Sequence, residues 1–247
     1  MTISSTIDRS PSPLARFASR LRDLIRRPLS QAWILARSLR QLPRVFRLRT
    51  RLHTSPRYLL YLAVQLEKSR AYQGKVSART ERLIGKALEV DVPANERGSR
   101  SVLCVGCRNS HELDLFKAAG YKEVVGIDLF ASDPRIQVMD MHAMTFPNSR
   151  FDVIYSCHNF EHASEPHIAA QEFLRVLKPD GICVIEVPVR FRNTIIDLHD
   201  YSSARGLLDI FGSDRGEVLL EEDEGDHDSS VARVAFRKRL AESAVQR

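Results

Sequence analysis

"SVLCVGCRNSHELDLF", residues 101–116, reads as a buried strand that runs into a tight turn and opens a helix. The strand residues come first, Gly106 stands where the chain must turn, and Asn109 or Ser110 is placed to cap the helix that follows. In an open α/β sheet, ligands lie beyond the carboxyl end of such a strand, against the N–H groups of the helix. The outline is that of a nucleotide-holding turn, but most of the glycines are missing.

Downstream of this stretch, short β-rich runs alternate with helices. The segments "EVVGIDL" (123–129), "RIQVMD" (135–140), "FDVIYSC" (151–157) and "ICVIEVP" (182–188) predict strands. The segments "HELDLFKAAG" (111–120), "EPHIAAQEFLRVLKPDG" (165–181) and "SARGLLDIFG" (203–212) predict helices, the second with its stop at Pro179-Asp180-Gly181. "GEVLLEED" (216–223) and "VARVAFRKR" (231–239) have no helix between them and predict an antiparallel hairpin at the sheet edge. The pattern calls for an α/β fold: a doubly wound, mostly parallel seven-stranded, Rossmann-like sheet, with that terminal hairpin and an N-terminal helical extension.

A chain of 247 residues, 43% of them hydrophobic, can bury one full-sized core and carry an appendage. Its formal charge of +6 is unevenly spread. Before residue 60, thirteen arginines face only Asp8 and Asp23, a net +11, so everything after sums to −5. Three parts are expected: a basic, arginine-rich amphipathic arm over 1–55, a helical extension and linker over 56–98, and a globular domain over 99–240. The arm's segments suit an anionic lipid surface, nucleic acid or packing on the protein itself. Its Arg- and Ser-rich, acid-poor composition is also that of organellar transit peptides.

The longest apolar run, "YLLYLAVQL" (58–66), is about half of the ~20 residues that span a bilayer, and no apolar run precedes the first arginines as in a secretory signal. The expected location is the cytoplasm, with the arm as the candidate for a peripheral membrane contact. Cys104, Cys107, Cys157 and Cys183 fall in or beside strands and read as reduced, buried thiols. Cys104 and Cys107 have C-x-x-C spacing, but no second pair completes a tetrahedral metal site.

Four segments in order, "VLCVGCRNS", "VVGIDL", "VMDMHAMTFPNSRFDVIYS" and "FLRVLKPDGICVIEVP", resemble the class I S-adenosylmethionine-dependent methyltransferases, in particular their small-molecule, type 11-like domains. The resemblance runs from about Ser101 to Pro188 and more weakly to Arg237. It implies S-adenosylmethionine as cofactor. Gly106 would pass beside its amino acid part and Asp128 would hold the ribose, with Cys107, Arg108, Leu129 and Cys157 also among the cofactor-binding residues. Asp140 and Met141 would meet the adenine, and His158 and Asn159 would lie near the sulfonium. The sequence departs from that family at Cys104, where an acid is usual, and at Arg108 and Ser110, where glycines are usual. Arg108 is expected either to turn outward or to pair with the cofactor's carboxylate.

Methyl transfer from a sulfonium is an in-line displacement that depends on orientation, and a base is needed only if the acceptor must lose a proton. The candidates are His158, Glu161 and His162 in "CHNFEHASEP" (157–166) and His199 in "DLHDY" (197–201). Were that first turn helical, His158, Glu161 and His162 would share a face, similar to the metal motif of quinone-precursor O-methyltransferases with His158 in place of its first glutamate; no metal is expected. No Asn/Asp-Pro-Pro-aromatic run or Pro-Cys pair follows the fourth strand, which argues against methylation of nucleic-acid bases. The sequence therefore points to methylation of a small or membrane-associated metabolite, with a small-molecule acceptor as partner, an anionic membrane as the arm's partner, and nucleic acid not expected. Two alternatives stay open: a catalytically silent methyltransferase-like scaffold, and an RNA methyltransferase guided by the arm.

Overall fold

The computed structural model describes residues 58, 61–66, 77–107, 110–131, 133–189, 198–225 and 230–239. The arm over 1–55, and Arg108 and Asn109 in the first turn, lie outside the described residues. The elements are α1 (Ala78–Val90), β1 (Ser101–Val105), α2 (His111–Ala118), β2 (Glu123–Asp128), β3 (Ile136–Val138), β4 (Phe151–Cys157), α3 (Pro166–Val176), β5 (Leu177–Pro188), α4 (Ala204–Ile210), β6 (Glu217–Glu224) and β7 (Val231–Arg237).

The strands form one seven-stranded sheet in the order β3-β2-β1-β4-β5-β7-β6. The pairs among β1 to β5 are parallel, and β7 pairs antiparallel with both β5 and β6. This is the doubly wound sheet with a terminal hairpin that the sequence predicts. The chain winds from β1 through β2 to β3 on one side, then crosses back to β4 on the other, so strand order reverses between β1 and β4. That reversal opens a crevice at the carboxyl ends of the strands.

Strand alternation divides the core between two faces. Leu103 and Val105 of β1, Phe151 and Ile154 of β4, and Cys183, Ile185 and Val187 of β5 pack with α3 and α4. Val102 and Cys104, Val153 and Tyr155, and Ile182 and Val184 pack on the opposite face with Leu83, Ile84 and Ala87 of α1 and Leu113 and Phe116 of α2. The two helices of the first face bury residues spaced by three or four: Ala169, Ala170, Phe173 and Val176 in α3, which opens on Pro166, and Ala204, Leu207 and Leu208 in α4. The Tyr155 hydroxyl donates to the Thr80 carbonyl at 3.2 Å and ties α1 to the sheet. A smaller cluster joins Tyr58, Tyr61, Leu62 and Ala63 to Phe130, just past β2.

One boundary differs from the expected one. The helix ends at Val176 rather than at Pro179-Asp180-Gly181, and β5 takes over from Leu177. The β4–β5 register jumps from Phe151–Leu177 to Val153–Ile182, so residues 178–181 bulge out of the ladder. The Asp180 N–H donates to the Lys238 carbonyl and the Lys238 N–H to the Gly181 carbonyl, which satisfies this backbone as sheet rather than helix.

Candidate functional site

The crevice at the reversal is lined by Val105 and Gly106 from the end of β1, Ile127, Asp128 and Leu129 from β2, Met139, Asp140 and Met141 after β3, Asn159 and His162 after β4, and by Tyr58 and Tyr61. Its empty space, including the part open to solvent, is about 310 Å³. Each strand end is pinned where it meets the space. The Gly106 N–H donates to the Ile127 carbonyl at 2.8 Å, and the Met139 N–H donates to the Asp128 carbonyl at 3.0 Å. The Asp128 carboxylate accepts the Phe130 N–H at 2.8 Å, which orients it at the strand end.

Gly106 has φ +78°, a left-handed conformation suited to glycine, and a methyl group added there would overlap the Asn159 side chain. The glycine thus makes the hollow into which Asn159 lies. Asp140 is buried and accepts both the His142 N–H at 2.9 Å and the His142 Nδ1–H at 2.6 Å. Burial, and then the Asp140 charge, push the Tyr58 phenol up, so this lining residue of the crevice presents a neutral phenol.

A second cavity opens on the other side of the β4 end. Its empty space, including the part open to solvent, is about 840 Å³, and it is lined by Arg79, Arg82, His158, Glu186, Glu224 and Arg233, among others. The two spaces share one turn. His158 has φ +49°, a conformation unusual for a residue with a Cβ, and its N–H donates to the Glu186 carbonyl at 2.8 Å. This twist sends His158 to the second cavity while its neighbour Asn159 faces the crevice.

His158 Nε2 lies 3.1 Å from the Glu186 carboxylate, and Arg79 Nη1 lies 3.0 Å from Nδ1 and 3.4 Å from Nε2. A guanidinium only donates and a carboxylate only accepts, so these partners assign the Nε2–H tautomer. Glu186 also pairs with the buried Arg233 across the β5–β7 ladder, where the two residues stand directly opposite. Burial pushes the Glu186 carboxyl up, but the hydrogen bonds and charges of His158 and Arg233 outweigh it and hold the group below the ordinary glutamate range.

Of the sequence-derived cofactor residues, Gly106, Asp128, Leu129, Asp140 and Met141 meet in the crevice. Cys107 does not: it is buried on the α1–α2 face, its Sγ against the backbone of Gly126. Cys157 turns toward Glu186, with Sγ 3.9 Å from the carboxylate, and His158 faces the second cavity. Cys104, where an acid was missed, lies fully buried on the α1–α2 face and does not line the crevice. All four thiols are free, and burial raises each of them, which makes them poor nucleophiles.

The three candidate histidines separate. His158 faces Glu186, His162 lines the crevice with its ring 5.2 Å from that of Tyr61, and the His199 ring stacks on Tyr201 at 6.4 Å. His158, Glu161 and His162 do not share a helical face, because His158 is left-handed and only Phe160–His162 form a short 3₁₀ turn. Among the described residues, no group of three His, Cys, Asp or Glu side chains is placed to hold a metal, and no helix is long and apolar enough to cross a membrane. Sequence reasoning missed Tyr58, Tyr61, Arg79, Glu186 and Arg233. The last two carried a signal: a lone acid inside "ICVIEVP" and a lone base inside "VARVAF", charges that a central sheet admits only as partners.

Residues 70–224 match the model of a family described as a methyltransferase domain. No protein of curated function matches the chain. Solved structures similar in fold include the cyclase SpnF, at 18% identity and a TM-score of 0.54 over 66% of this chain and 81% of that one. A chain of the complex containing the Haloferax volcanii Trm112 methyltransferase activator is similar at 15% identity and 0.54, over 70% and 94%. The PH0226 protein from Pyrococcus horikoshii OT3 is similar at 16% and 0.52, over 69% and 99%. At these identities the likeness is one of fold.

Proposed function

Given that this chain belongs to the methyltransferase-domain family and has the class I fold, we propose that its crevice binds S-adenosylmethionine and that the protein methylates a small-molecule acceptor held in the adjoining cavity. The observation that carries this reading is convergence. Gly106, Asp128, Asp140 and Met141, far apart in the chain, line one space at the point where strand order reverses.

The residues present fit the cofactor. Gly106 leaves room at the β1 turn that the Asn159 side chain fills, so a ligand approaching this backbone would meet Asn159 first. Asp128, held by the Phe130 N–H, is placed to accept ribose hydroxyls. Asp140 and Met141 supply an acceptor and a soft apolar surface for the base. When bound, the sulfonium supplies an electrophilic methyl group. Tyr58 and Tyr61 roof the crevice and exclude water, and the His158 turn separates donor side from acceptor side.

Two departures favour a second reading, a methyltransferase-like scaffold without catalysis: Cys104 in place of an acid, and Asn159 lying over Gly106. Incubation of the protein with methyl-labelled S-adenosylmethionine and extracted metabolites separates the two. The enzyme reading predicts label in one metabolite class and its loss in the Asp128→Ala variant. No labelled product from wild-type protein contradicts it. The arm over 1–55 is proposed to dock on anionic lipid from the cytoplasmic side, and vesicle flotation with and without anionic lipid tests that assignment.

A further inference from the structure

Among the described residues, the carboxylates around the cavity beside the crevice pair with two of its three arginines. Glu186 is shared between His158 and Arg233, Glu222 lies 3.8 Å from Arg233, and Glu224 is shared between Arg233 and Arg82. Arg79 donates to Ser77 Oγ at 3.0 Å and to His158 Nδ1 at 3.0 Å, and among the described residues it has no carboxylate partner. Arg79 and Arg82 both stand in the first turns of α1, where the helix adds positive potential instead of relieving theirs. Among the described residues, the partners of this cation are a hydroxyl and the imidazole of His158. A guanidinium binds a carboxylate or phosphate more strongly than either, and can do so in two-point fashion.

We propose that this cavity takes an acceptor bearing a carboxylate or phosphate group, and that this group draws Arg79 off His158 and uncovers Nδ1 as the base for the acceptor's hydroxyl. The inference rests on the reading that the crevice holds a sulfonium methyl donor. The step balances. The acceptor O–H bond breaks and its proton goes to Nδ1. The electron pair left on oxygen forms the new O–CH₃ bond, and the pair of the broken S–CH₃ bond stays on sulfur. Glu186 stays at Nε2–H throughout, so the imidazolium that forms has its counter-charge in place.

Among the described residues, the charged and titratable groups that face His158 or stand behind its partners come from several elements, with Arg82 of α1 and Glu222 of β6 at the periphery. Arg79 comes from α1, Glu186 from β5 and Cys157 from β4, with Arg233 of β7 behind Glu186 and Glu224 of β6 behind Arg233. Of the described groups next to His158, Arg79 is exposed and not tied to a carboxylate, so it can leave without stranding a buried charge. The arrangement restricts the base to acceptors that carry the anion. A neutral alcohol would find Nδ1 covered.

The test follows the histidine ring nitrogens of ¹⁵N-labelled full-length protein by NMR during titration with inorganic phosphate and, separately, with acetate. The Nδ1 resonance of His158 should move saturably with at least one anion while Nε2 stays in place. Response to phosphate alone assigns a phosphorylated acceptor, and response to acetate alone assigns a carboxylate. In the Arg79→Gln variant, Nδ1 should start at the displaced position and anion affinity should fall at least tenfold. A His158 that ignores both anions, or Arg79→Gln protein that binds phosphate as tightly as wild type, overturns the proposal. S-adenosylhomocysteine is titrated into the same samples. Its binding with an unresponsive His158 refutes only this inference, and a responsive His158 without its binding refutes only the reading of the crevice.

Discussion

Asp128 and Glu186 are both acids at or near strand ends, yet they do different work. Asp128 lines the crevice, and the Phe130 N–H helps to orient its carboxylate there. Replacing it by alanine should remove charge-assisted hydrogen bonds of about 1.5–3 kcal/mol each and weaken S-adenosylhomocysteine binding at least tenfold, with little change in melting temperature. Glu186 is buried between His158 and Arg233 and is part of the fold. Glu186→Gln strands part of the Arg233 charge and should cost about 3 kcal/mol at neutral pH, as measured by urea unfolding. The pH dependence has a definite sign. A carboxyl held below its unfolded value of about 4.3 contributes fully above that pH, and the contribution is lost as pH falls through the lower folded value. The variant should therefore show a flatter acid limb below about pH 4.3. Asp128 and Asp140 were legible in the sequence because a strand end fixes where such a residue lies. Arg79, Tyr58 and Tyr61 were not, because their place depends on how helices N-terminal to the sheet fold back across it.

Elements show the same division between local and long-range information. The strands were legible because burial on both faces leaves near-continuous apolar runs, as in "SVLCV" and "ICVIEVP". The end of α3 was misplaced by the turn signal Pro179-Asp180-Gly181, since what decides it is sheet pairing with β4 and Lys238. The turn after β4 was open in sequence, and a helical reading would have gathered His158, Glu161 and His162. The left-handed His158 instead divides them between two spaces. Packing at this level rests on aromatic layers: Phe173 of α3 is fully buried, with its ring 5.4 Å from Phe160 and 6.4 Å from Phe211. Phe173→Ala should cost about 3–5 kcal/mol in urea unfolding, because the surrounding rings cannot close the hole. A loss under about 1 kcal/mol would show that α3 is not held by this layer.

For the whole molecule, charge is unevenly spread along the sequence, +11 over the first 59 residues and −5 over the rest. Shortening the chain to begin at Ser55 should preserve melting temperature and S-adenosylhomocysteine affinity, because Tyr58 and the residues beyond it stay in place. Shortening it further, to Ser77, removes the buried Tyr58, Tyr61 and Leu62 and should weaken that affinity, since the roof of the crevice goes with them. Equal affinity in the two shortened proteins would show that the tyrosines do not cover the ligand.

At the scale of the fold, the crevice at the β1–β4 reversal is proposed to hold the cofactor despite its glycine-poor turn. Calorimetric titration of the full-length protein with S-adenosylhomocysteine tests it most directly. The structure predicts a saturable heat with one site per chain, lost or weakened at least tenfold in Asp128→Ala. Absence of heat from folded wild-type protein, confirmed by equilibrium dialysis, would contradict it.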